Sequence, residues 1–143
     1  MLRDPALIPL SQQHHNGLAL CVLTRRGLAA DAGLVKLAKR IIDRYELELI
    51  NHFEIEEQVL FPLCAPSPLI EQLLADHRTL EALVEKLRVE PTAAILEEFC
   101  ELLSTHIRRE ERELYEQAQR TIPREALNEA GKQIDQRAVR LCL

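Results

Sequence analysis

The 143-residue chain carries 18 lysines and arginines against 23 aspartates and glutamates, a formal net charge of −5. That balance argues against a nucleic-acid partner, which calls for a basic face, and no apolar run approaches the ~18 residues of a membrane-spanning helix. Tryptophan is absent, glycine and proline are few, and Leu, Ala, Glu and Arg dominate, a composition that predicts an all-α fold.

A first helix is predicted from Pro9–Ser11 to about Gly27, before a turn that closes at Gly33. A long second helix runs from Leu34 to Phe61-Pro62. The loop Ala65-Pro66-Ser67-Pro68 then supplies a serine cap and a proline at the first position of helix three, which ends near Val89, before Pro91. Helix four spans about Thr92 to Thr121, and Pro123 opens a short fifth helix to about residue 141, with Leu127, Ala130, Ile134 and Leu141 on one face. Short connections make consecutive helices antiparallel, so the expected architecture is one domain over 1–143: an up-down-up-down four-helix bundle over about 8–121, plus the C-terminal helix. In helix two, Ala38, Ile42, Tyr45, Leu49, His52, Glu56, Val59 and Leu63 form the inward stripe. His52 and Glu56 are polar members of an otherwise core-facing set, and the chemistry starts there.

Each main helix carries histidine, and three share a local pattern: His52 with Glu56, His77 with Glu81, His106 with Glu110. At i, i+4 both side chains leave one face, about a turn apart. Helix one offers His14, on a face with Leu10, Gly17 and Cys21, and His15, on a face with Leu18 and Val22; His14 is preferred. At ~1.5 Å rise per residue, His52/Glu56 and His77/Glu81 lie equally far from the proline-rich loop, and His106/Glu110 falls within about a turn of that height. One such pair alone is often a surface interaction. Four helices projecting imidazoles and carboxylates into one layer are another matter, because burying them uncompensated would cost several kcal/mol per charge. A domain stable by ~5–15 kcal/mol cannot carry that.

Cations remove the difficulty. Imidazole and carboxylate without thiolate suit iron or manganese, with zinc left open, and seven side chains exceed what one tetrahedral zinc takes. Two metals bridged by carboxylates fit better. The Glu-x-x-His signature of ferritin-like bundles fails, since Ser11, Gln12, Leu49, Leu74 and Leu103 stand three before the histidines. Glu110 is preferred to Glu111, because i+4 lies ~40° from His106 around the helix and i+5 ~140°. Cys21, Cys64, Cys100 and Cys142 stand singly, which excludes a zinc ribbon and gives no disulfide framework, and Cys21 reads as core filling. Tyr45 could hydrogen-bond near the site, and Arg108 and Arg109 read as solvent-facing. The N-terminal Met1-Leu-Arg-Asp-Pro5 lacks a signal-peptide pattern, so a cytoplasmic location is expected.

The stretch His52-Phe-Glu-Ile-Glu56-Glu-Gln-Val-Leu-Phe-Pro62, together with His106-Ile-Arg-Arg-Glu110-Glu111, resembles hemerythrin and the hemerythrin-like HHE cation-binding domains over about residues 8–121. The resemblance implies two iron ions of the Fe–O–Fe type, with manganese or zinc as alternatives. It also implies terminal ligands at His14, His52, His77 and His106, and bridging ligands at Glu56 and Glu110. Glu81 stands where hemerythrins have a histidine, which would make one site more anionic and disfavour reversible oxygen carriage.

The expected function is a non-haem di-iron protein that binds or senses O2 or a related diatomic such as NO, or peroxide. A di-iron oxidoreductase or iron–sulfur cluster repair protein for nitric oxide defence is one alternative. A metal-stabilised interaction module, with the fifth helix docking a partner, is another; the amphipathic pattern leaves open whether that helix caps the bundle or forms a homodimer contact. The sequence leaves open whether the protein is an enzyme.

Overall fold

A computed structural model describes residues 2–141, and every regular element among them is helical. Cys142 lies outside the described residues. A single 3-10 turn, Pro5–Leu7, is capped by Asp4, whose carboxylate accepts from the Ala6 N–H. It leads into α1, Ile8–Ala29. The turn after α1 needs left-handed backbone at Asp31 (φ 57°) and Gly33 (φ 95°), and glycine supplies the second without steric cost.

Helix α2 (34–64) is continuous but not uniformly α: it contains π turns at Tyr45–Leu49 and Glu56–Leu60. Each π turn adds one residue to the local repeat and rotates the remainder of the helix by roughly 100°. The predicted stripe holds at Ala38, Tyr45, Leu49, His52, Glu56 and Val59, but Ile42 is only partly buried beside a fully buried Ile41, and the stripe fails at its end. Leu63 is exposed, and Leu60 and Phe61 fill the core in its place. The second π turn also loosens the hydrogen-bond ladder just ahead of Pro62, which has no N–H to give. Helix α3, Pro68–Val89, starts as predicted on the Ser67 cap, whose Oγ accepts from Leu69 N.

Helix α4 (93–121) starts on the Thr92 cap and carries a third π turn at Glu110–Leu114. Helix α5, Arg124–Arg137, stops short of the predicted end, so Leu141 is not part of it. Its Leu127, Ala130 and Ile134 are buried against the rest of the molecule. That apolar face is therefore already covered.

In cross-section the contacts run α1–α2, α2–α3, α3–α4 and α4–α1, which closes a ring around one interior. The approach of α1 to α4 is tight at Gly17, where an added Cβ would lie 3.0 Å from Ile107 Cδ1. The core divides in two. One apolar cluster, including Leu20, Ile41, Leu83 and Phe99, fills one end. A second, including Leu7, Leu60, Leu73, Tyr115 and Ile134, fills the other and takes in α5. Between them lies a polar layer.

Candidate metal centre

Six side chains converge in that layer: His14 from α1, His52 and Glu56 from α2, His77 from α3, and His106 and Glu110 from α4. All are at most 3 % exposed. Their ligand atoms form two overlapping groups, His14, His52, Glu56, Glu110 and Glu56, His77, His106, Glu110, each within a 4.8 Å span. The two glutamates belong to both. Each opens a π turn, so the irregular backbone begins at the residue the groups share.

The imidazoles point Nε2 inward. His14 Nε2 lies 2.9 Å and His106 Nε2 3.1 Å from Glu110 Oε1, while His77 Nε2 lies 3.2 Å and His52 Nε2 3.3 Å from Glu56 Oε1. Phe53 stacks on His77 at 4.0 Å between ring centroids, and Tyr115 stacks on His14 at 5.2 Å. These rings hold the imidazoles by packing and exclude water.

Every outward Nδ1 is engaged. His14 donates to Glu111 (2.6 Å), His77 to Glu57 (2.7 Å), His106 to Asp76 (2.9 Å) and His52 to the amide oxygen of Gln13 (2.9 Å). Each partner is the chain neighbour of an inner residue on another helix, so the four helices brace one another in a ring. A further set of groups holds the partners: Ser11 and Arg3 on Glu111, Arg78 on Glu57, Gln72 and Arg109 on Asp76. Imidazole with Nδ1–H fixed by an acceptor and Nε2 free is the form that binds a cation.

The electrostatics agree. Burial disfavours a charged His52, but the Glu56 and Glu110 carboxylates outweigh it and push its pKa up to about 9. The same opposition at His106, against Glu110 and Asp76, leaves it at about 10. Burial likewise opposes ionisation of Glu110, yet the His106 charge and its hydrogen-bonding neighbours hold it well below the usual carboxylate range. Tyr115 is pushed well above its ordinary value by burial and the surrounding carboxylates, so it stays a phenol and donates to Glu56 Oε2 at 2.9 Å. At His52, His106 and Glu110 the layer thus favours the charged forms, imidazolium set against carboxylate.

A cation fits this arrangement. His52 Nε2, His106 Nε2 and Glu110 Oε2 are buried without a hydrogen-bond partner, and all three aim into the layer. The two nitrogens face carboxylates without hydrogen-bond geometry, and buried polar atoms left so are costly unless a ligand takes up their lone pairs.

Of the residues singled out in the sequence, His14, His52, Glu56, His77, His106 and Glu110 are brought together; Glu81 is not. Its side chain is half exposed and pairs with Arg78 on the outer surface of α3. The His-to-Glu step is regular α-helix in α2 and α4 as in α3, so it is the rotation of α3 about its axis that turns its i+4 position outward. His15 is exposed, and Glu111 lies outside the group, holding His14. Arg109 is not purely solvent-facing, since it reaches Asp76, and Tyr45 belongs to the apolar cluster away from the layer. Cys21 is core filling, as expected.

Sequence reasoning missed Gln13, Glu57, Asp76 and Tyr115. The first three could have been found as polar neighbours of buried ligands. Tyr115, five residues after Glu110, shares its face only because the π turn intervenes; its N–H bonds to the Glu110 carbonyl.

A family model, the hemerythrin HHE cation-binding domain, matches residues 9–118. The chain belongs to this family. No curated protein and no solved structure gives a significant match. The matched span of the hemerythrin domain takes in every residue of the two groups and stops before α5, which is an addition to the matched region. The buried His/Glu layer is what a metal-binding domain of this kind requires.

Proposed function

We propose that this hemerythrin-type domain is a non-haem di-iron protein that binds or senses dioxygen or a related diatomic. In this reading the helices of the bundle run up-down-up-down, and the layer holds two irons, the His14/His52 ion and the His77/His106 ion, both sharing Glu56 and Glu110. The observation that carries it is the overlap of two buried four-ligand groups in two shared carboxylates. A single cation would leave half of the converging imidazoles unused. The ligand set is all nitrogen and oxygen, which suits iron better than a thiolate site would.

When bound, a ferrous pair supplies electrons to a small oxidising ligand. The chain contributes the rest. The four Nδ1–H bonds fix the imidazoles so that no reorganisation is needed on binding. Phe53, Phe61 and Tyr115 wall the layer with apolar surface. The Tyr115 hydroxyl, 2.9 Å from Glu56 Oε2 and 3.4 Å from His14 Nε2, is an uncharged donor set against the layer. It places a proton beside any ligand that enters there.

The test is anaerobic loading with ferrous iron, metal counting, and absorption spectra before and after oxygen or nitric oxide. Two irons per chain with a new visible charge-transfer band support the proposal, and persistence of the band separates a carrier or sensor from an enzyme. One metal per chain, or two metals with no spectral response to either gas, refutes it.

A further inference from the structure

The four histidines are not held alike. Three donate Nδ1–H to carboxylates (Glu111, Glu57, Asp76), and His52 alone donates to a neutral amide, Gln13. Both imidazoles of the His77/His106 group are thus backed by negative charge, but only one of the His14/His52 group. A carboxylate on the outer N–H makes imidazole a stronger donor to a metal; an amide does so less.

The orientation of Gln13 is fixed. Only 3 % exposed, it donates Nε2–H to two acceptors, Asn51 Oδ1 (2.9 Å) and the Val139 carbonyl (3.0 Å), which leaves Oε1 for His52. Asn51 is fixed in turn: it donates to the Arg137 carbonyl at 2.9 Å and accepts from Val139 N–H at 2.9 Å. The chain leaving α5 is therefore tied through Asn51 and Gln13 to the His52 imidazole of the layer.

Resting on the di-iron reading above, we propose that Gln13 is a positioning residue that makes the two metal positions unequal. The His14/His52 position is the weaker, first to release its ion, and the strap at residues 137–139 sets how firmly it is held. One of the two bonds that place Gln13, and both bonds from α5's exit that hold Asn51 behind it, come from a segment outside the matched region of the family, so the weak position answers to an element the four helices alone do not provide.

The experiment titrates metal-free full-length protein with cobalt(II), following heat and the visible spectrum of each ion in turn. Wild type should take two ions with affinities at least tenfold apart, the spread expected of partners behind metal ligands. Gln13→Leu should weaken the looser event about tenfold further, change the spectrum of the second ion alone, and leave the tighter event within twofold. Asn51→Ala, which touches no histidine, should move the same event the same way by less. Asp76→Asn should weaken the tighter event instead. Equal wild-type affinities, or a Gln13→Leu effect on both ions or neither, would overturn the inference while leaving two-metal binding intact. Uptake of one ion or none would overturn the di-iron reading itself, and this inference with it.

Discussion

Replacing Tyr115 with phenylalanine isolates one bond in the layer. The ring is fully buried and stacks on His14 with the planes 11° apart, and Arg3 lies 5.4 Å from its centroid. Phenylalanine keeps the ring contacts and leaves almost no cavity. What goes is the hydroxyl donating to Glu56 Oε2 at 2.9 Å. A hydrogen bond to a charged acceptor contributes roughly 1.5–3 kcal/mol, and its loss strands a buried oxygen. The metal-free variant should therefore be less stable by about 2 kcal/mol, with a midpoint lower by about 6–10 °C for a domain of this size. With metal bound, the cation meets the same carboxylate and the loss should be less than half as large. Urea melts of both forms, each with and without metal, give the four values. A metal-free loss under about 0.5 kcal/mol, or an equal loss in the loaded protein, would refute the assignment of the Tyr115 bond as a partner for an otherwise stranded carboxylate.

Glu81→Gln should leave metal stoichiometry and affinity unchanged, since Glu81 pairs with Arg78 outside the layer, whereas Glu110→Gln should abolish uptake of the second ion at least; equilibrium dialysis with metal analysis distinguishes them. The metal-free protein should lose stability as pH rises. Imidazoles raised from the ordinary ~6.5 stabilise the fold fully below that value. That contribution fades as pH passes about 9 at His52 and about 10 at His106, which melts from pH 6 to 10.5 would show. Metal must displace those protons, so loading at pH 7 should release protons into a weakly buffered solution. Gly131→Ala should cost about 1–3 kcal/mol, because the new methyl would sit 2.8 Å from Ala6 Cβ and 3.0 Å from its Cα, backbone that cannot move freely; thermal denaturation measures it.

The helical fold was legible because each boundary carries its own local chemistry: Ser67 before Pro68, Gly33 with positive φ, Thr92 at the head of α4. The inner histidines and Glu56 and Glu110 were legible because polar residues interrupt apolar stripes at matched heights. Glu81 misled because spacing alone cannot tell which i+4 carboxylate turns inward. Glu56 and Glu110 each bond back to their histidine's carbonyl in regular α geometry, so the direction is set by how each helix is rotated about its own axis in the bundle, which spacing along one helix does not reveal. The outer ring was legible only as polar chain neighbours of the inner residues, not as partners of particular histidines. Gln13, Glu57 and Asp76 act across helix–helix gaps, and periodicity along one helix says nothing about the neighbour it meets. Leu141 was misplaced because the amphipathic pattern continues past Arg137, where the chain instead turns to bond Asn51 and Gln13.

The division of the interior into two apolar clusters bears on how the molecule comes apart. Treated as two cooperative units, the clusters meet at a plane of His–Glu pairs that still leaves three buried polar atoms without a hydrogen bond. A bound metal pair rivets the units together, since each of the four long helices crosses that plane and contributes to it. Stripped of metal, the molecule should open unit by unit, and amide hydrogen exchange should show two protection levels that merge into one on loading. The cations would then govern not only what the layer binds but whether the chain unfolds in one step or two.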